Sequence, residues 1–191
     1  MKRSALVRAG LSVLLVGLAL FGGPAAARAQ AAVGASVQVL VVPTTGAGIR
    51  PIAFGNVTLG TTTARTIAAV ADSSAAGIAH FNFTGVTGNR DVQLTFDFPS
   101  VLTHSGSGST MPVSFNGSYG LRCFNRNSGL HDCTLFNPSP GGADPSVIVI
   151  TPPAPPRNGT LRIYLGGAVS PSLVQSAGVY QGVVTLTMVR I

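Results

Sequence analysis

Glutamate and tryptophan are absent from this 191-residue chain, and lysine occurs once, at position 2. Aspartate is therefore the only acidic residue type, and it occurs five times. A general acid and base pair would have to come from distant aspartates, because Asp91 and Asp97 on one predicted strand lie ~20 Å apart along it. The histidines at 80, 104 and 131 are isolated from one another, without the ligand spacing that closes a metal site. Glycine pairs such as Gly166-Gly167 lack the strand, loop and helix setting of a phosphate cradle. The expectation is a protein that is not an enzyme and that holds neither cofactor nor metal.

Positive charge is also scarcer than the formal +7 suggests. Lys2, Arg3 and Arg8 precede an apolar run, LSVLLVGLALF, and AARAQA follows it with small residues, the pattern of an export signal cleaved after Ala29 or Ala31. Without residues 1–29 the eight remaining arginines oppose five aspartates, a net +3, and they are scattered. Nucleic acid is not an expected partner, because a clustered basic surface is missing. No second apolar run reaches the ~18 residues of a spanning helix, so no transmembrane anchor is expected after cleavage. A membrane barrel would call for aromatic girdles, and the three tyrosines do not supply them. The expected path is export to the periplasm and then to the cell surface or outside.

What remains is rich in Gly, Thr, Ser, Val, Ala and Pro, a composition of strands and turns. In AAVGASVQVLVVP the residues Val33, Ala35, Val37, Val39 and Val41 all fall on odd positions, which marks a strand with one apolar face. TTGAG reads as a turn or flexible link, and IRPIAFGNVTLG contains a short strand. TARTIAAV fits strand or helix by period, with strand favoured by Thr61 to Thr63. GIAHFNFTG sets Ala79, Phe81 and Phe83 against His80, Asn82 and Thr84, and RDVQLTFDFP sets Val92, Leu94, Phe96 and Phe98 against polar positions. With VTGN between them, these two runs predict a hairpin. MPVSF, SYGLRCF, SVIVI (read as a buried strand), TLRIYLGG and AGVYQGVVTLTMVRI add further strands, while TPPAPPRNGT reads as extended surface chain. About ten short strands without a helix of useful length make an all-β sandwich or barrel.

Cys123 and Cys133 bracket a turn at Asn127-Ser128-Gly129, so in an exported chain they are expected to form a disulfide across a hairpin. His131 and Asp132 beside them suggest a nucleophile set, but a disulfided sulfur is no nucleophile, and a solvated loop histidine is the expectation. The N-x-S/T triplets at Asn56, Asn82, Asn116 and Asn158 read as coincidence in a chain whose signal looks bacterial.

PIAFGNV after an N-terminal strand, the FNFTG and VQLTFDFP runs, and YLGGAVSPSLVQSAGVYQGVVTLTMV together resemble a secreted bacterial family. That family is of unknown function and is related to spore coat protein U and to archaic chaperone-usher pilins. The resemblance runs from about residue 36 to 191, and its closing glycine and tyrosine pattern is its most specific part. It implies an immunoglobulin-like (pilin-like) sandwich that lacks one strand. A periplasmic chaperone and then the N-terminal strand of a sibling subunit would fill the gap by β-augmentation. On that reading residues 30–43 hold the donor strand, with Val33, Val37, Val39 and Val41 as its apolar face, and residues 44–191 form the domain. The edge of the groove would be Gly178, Tyr180, Val184, Leu186 and Met188. Arg190 stands where classical pilins carry tyrosine, and the cysteines lie mid-chain, unlike those of the spore coat relatives. The competing expectation is a self-complete secreted monomer that acts as a binding or adhesion module. The valines of the first strand are worth at most about 1.5–3 kcal/mol each on burial, and that burial is realised within one chain or between two.

Overall fold

Alternation at period 2 builds nearly everything that the computed structural model describes, which is residues 33–41, 46–86, 88–125, 131–152 and 159–191. In chain order the strands are β1 Val33–Val41, β2 Gly46–Arg50, β3 Ile52–Val57, β4 Thr63–Arg65, β5 Ala79–Val86, β6 Val92–Asp97 and β7 Val101–His104. They continue as β8 Thr110–Ser114, β9 Gly120–Asn125, β10 His131–Phe136, β11 Ser146–Ile150, β12 Gly159–Leu165, β13 Gly167–Val169 and β14 Gly178–Arg190. The only helical pieces among the described residues are 3-10 turns at Val70–Ser74 and Pro140–Gly142. The chain is an all-β sandwich. The predicted signal segment lies outside the described residues, as do Asn127-Ser128-Gly129 and most of the Pro-rich connection.

One sheet has the order β10-β9-β12-β5-β2. In the other, β14 is the spine: β6 and β7 follow each other along one of its edges and β1 lies along the opposite edge, with β3 beyond it. β11 flanks β6, and β8, β13 and β4 continue from β7. The inner faces meet in a core that includes Ile52 and Phe54 of β3, Phe81 and Phe83 of β5, Leu94 and Phe96 of β6, Leu161 and Ile163 of β12, and Tyr180, Val184 and Leu186 of β14. These are the apolar sets that the alternation assigns to each strand.

The structure corrects three sequence expectations. β5 and β6 do not form a hairpin: β5 pairs with β12 and β2, whereas β6 pairs with β11 and β14 in the other sheet. Two strands that each carry a fully apolar face can bury both by facing each other across a sandwich, and β5 and β6 lie in different layers. β11 was expected to be buried, yet among the described strands it is an edge strand, and its Val147 and Val149 are 54% and 53% exposed. TTGAG is not simply a link, because Gly46, Ala47 and Gly48 open β2 and pair with β5. Pro51 then separates β2 from β3 and the chain changes sheets there, as the missing proline N–H suits a break in both ladders.

Candidate functional site

The slot between β3 and β14 is where the sequence places its most specific motif. β14 alternates as the sequence predicts, with Tyr180, Val184, Leu186 and Met188 buried while Val179, Gln181, Val183 and Val189 are exposed. Its two glycines have distinct local causes. Between Thr185 opposite Asp97 and Gln181 opposite Thr103, four steps along β14 meet six along β6 and β7, so two residues of the partner are extruded around Phe98-Pro99-Ser100. That bulge brings Pro99 and Leu102 over Gly182, where a β-carbon would lie 2.8 Å from a Leu102 methyl and 3.1 Å from Pro99 Cγ. Gly178 has φ +138°, and a β-carbon there would lie 2.0 Å from His104 Nε2.

A polar network fixes this end of β14. The Gly106 and Ser107 backbone N–H groups both donate to His104 Nδ1 at 2.9 Å, so Nε2 carries the proton and donates to the Ala177 carbonyl at 3.0 Å. The His104 ring meets Tyr180 edge-on at 5.1 Å. The buried Tyr180 hydroxyl donates to the Ser176 carbonyl at 2.9 Å and accepts from Gln175 Nε2 at 2.7 Å.

The other wall is β3, which has a ladder partner only in β1 among the described strands. Its outer edge is closed by other means: Arg65 donates Nε to the Ala53 carbonyl at 3.1 Å and Nη2 to the Phe54 carbonyl at 2.8 Å, and Ala53 N–H bonds the Gly77 carbonyl. Gly55, at φ +73°, carries a bulge that shifts the burial phase from Ile52 and Phe54 to Val57.

β1 fills the slot from within the same chain. It runs parallel to β14, from Val33 beside Gly178 to Val41 beside Leu186, and antiparallel to β3, from Val33 beside Val57 to Val37 beside Ile52. The register sets Val37 beside Gly182 and Val39 beside Val184. The predicted donor residues Val33, Val39 and Val41 thus lie beside the predicted groove residues Gly178, Val184 and Leu186, whereas Tyr180 stands beside Ala35, and Met188 lies past the end of β1, opposite Leu94 of β6. Among the described strands, β1 is the only one that β14 pairs with in parallel; β6 and β7 both run antiparallel to it.

The Cys123–Cys133 disulfide joins β9 to β10, with Cα atoms 4.1 Å apart. His131 and Asp132 were expected in a loop but begin β10, whose register slips there, with Asp132 at φ +50°. Sequence reasoning missed a second small core on the outer face of the β5 sheet, where Ile67, Ile78, Leu121, Cys123 and Tyr164 pack beneath residues 66–78. Asp72 anchors this covering segment by accepting Ala68 N–H at 2.8 Å and Ala69 N–H at 2.9 Å, bonds that lower its pKa. Arg50 ties the segment to β2 through the Ile78 and Ser73 carbonyls at 2.6 and 2.7 Å. His80 stacks on Tyr164 at 4.6 Å beside this cluster, and burial, then the Arg162 and Arg50 charges, depress its pKa to about 4. Its Nε2, Asn82 Oδ1 and Arg162 Nε are buried without hydrogen-bond partners.

Among the described residues no three His, Cys, Asp or Glu side chains converge, and no helix is long and apolar enough to cross a membrane. A pocket of about 130 Å³ is lined by Phe98, Phe115, Ser139 and Asp144, small beside the roughly 300–1,000 Å³ of ligand sites. Its carboxylate already accepts the Phe98 N–H at 2.9 Å. The strand slot, rather than a chemical centre, is the candidate functional site. Compared with protein-family models and with curated proteins, the chain matches neither.

Proposed function

We propose that this protein is a structural subunit of a surface assembly, an immunoglobulin-like domain in which β1 can be exchanged between copies by donor-strand complementation. The observation that carries the reading is the position of β1: an interior strand, parallel to β14 and held on both edges. An interior strand cannot be withdrawn without leaving two ladders unpaired, so whichever copy supplies it, the slot demands one. Swapping an identical element between copies recovers the same contacts and is a low-cost route to association. A strand entering in the reverse direction would pair antiparallel with β14 and parallel with β3, so either orientation keeps one antiparallel ladder. The resemblance to spore coat and archaic pilin subunits fits this mode. It extends the proposal to export, a periplasmic chaperone as temporary occupant and a role without catalysis.

A second reading, a self-complete secreted adhesion module, is favoured by the pairing of β1 within its own chain. Denaturing gels of surface-extracted protein separate the two readings. Exchange gives ladders that survive detergent and vanish when residues 30–42 are deleted; ladders unchanged by that deletion would overturn the exchange reading. A protein that is a cooperatively folded monomer under all conditions would support the self-complete one.

A further inference from the structure

β11 offers a second assembly surface that does not involve β1. Among the described residues its sole ladder partner is β6 and no loop backbone bonds to 146–150, so one edge of SVIVI is unpaired there. Natural edge strands are guarded by charge, by an internal proline or by a bulge. β11 has none of these: no charged residue lies between Pro145 and Pro152, and its register with β6 is unbroken from Ser146 to Ile150. Ile148 is only half-buried against the core, and Val147 and Val149 are the exposed pair on the outer face.

The order of these residues selects the occupant. An antiparallel pairing of β11 with a second β11, centred on Ile148, sets Val147 against Val149 of the other copy, Val149 against its Val147 and Ile148 against Ile148. The same patch is then used on both sides, as two-fold symmetry requires. Cross-strand pairs of β-branched residues favour such contacts, and nothing in the strand opposes them with like charge. Pro145 and Pro152 confine the ladder to the six residues between them, and pairing uses up the free edge of each β11, so it stops at two copies. We infer that two copies of this chain associate side by side through β11, merging their β14 sheets into one continuous sheet. This inference goes beyond the proposed exchange of β1 and stands whether or not β1 is donated. Exchange links copies end to end in open series, whereas β11 pairs them laterally in twos.

The interface is short, below the roughly 1,200 Å² of stable complexes, so sedimentation equilibrium of the full chain must extend to about 1 mM protein. The expected result is a reversible, detergent-sensitive monomer–dimer equilibrium. Val147→Lys with Val149→Lys, and Val147→Glu with Val149→Glu, each place like charges face to face and should weaken association at least about tenfold, while mixing the two variants restores it. Both positions are half exposed, so both variants should keep the parent's unfolding midpoint. Amide exchange in the unmodified chain reads the same contact without substitution: protection over 146–150 should rise with protein concentration while that of β2 and β10, the edge strands of the other sheet, does not. A parent that stays monomeric, exchange at 146–150 independent of concentration, or a Lys and Glu mixture that fails to associate overturns the inference.

Discussion

At the residue scale, glycine and histidine positions decide how the slot and its surroundings hold together. Gly182→Val would push a branched side chain into Pro99 and Leu102, which sit there because of the bulge between β6 and β7. Overpacking of this kind should cost about 1–3 kcal/mol in a urea titration. Tyr180→Phe keeps the packing but leaves Gln175 Nε2 and the Ser176 carbonyl short of one partner each, a loss of about 1–2 kcal/mol by the same measurement. His80 sets a pH dependence. Its folded-state pKa is about 4, below its ordinary 6.5, so the unfolded chain takes up the proton first as pH falls. The stability that neutral His80 supports is therefore fully present above pH 6.5 and is lost as pH falls toward 4. Thermal midpoints should fall across that window, and His80→Phe, which keeps a ring against Tyr164, should flatten the fall. The same midpoint drop in the variant would assign it to another group.

At the element scale, the disulfide and the arrangement of strands show what period and composition can reveal. Cys123 and Cys133 close a loop with a sequence separation of 10. Replacing both with Ala should lower the unfolding free energy by about 2–3 kcal/mol through the freed unfolded chain, with a further loss because Cys123 packs in the small outer core. Strand β1 was legible residue for residue from its odd-numbered apolar set, and so was the buried face of β14, because period 2 depends only on local backbone geometry. Pairing depends on distant strands and was not legible. The Phe81, Phe83, Leu94 and Phe96 alternation is the same for a hairpin and for two strands facing across a sandwich. SVIVI reads as buried by composition, and what makes it an edge is that no described strand lies beyond β11. The outer core under residues 66–78 left a faint signal in Ile67, inside the TARTIAAV run whose period fits strand or helix, and in Ile78 of the GIAHFNFTG run.

At the scale of the whole molecule, both proposed roles of the chain rest on strand surfaces. Two of its strands, β1 and β11, carry β-branched sets without charge, one inside the larger sheet and the other at its margin. The proposed exchange of β1 would give linear growth, and the inferred pairing of β11 would join neighbours laterally. The central claim is that the β3 and β14 walls accept a strand from outside the chain. The most direct measurement is calorimetric titration of the protein lacking residues 30–42 with a synthetic peptide of residues 33–41. Strand exchange predicts saturation at one peptide per chain, with a rise in the unfolding midpoint. A shortened protein that folds to the parent's midpoint alone and takes up no peptide would contradict it.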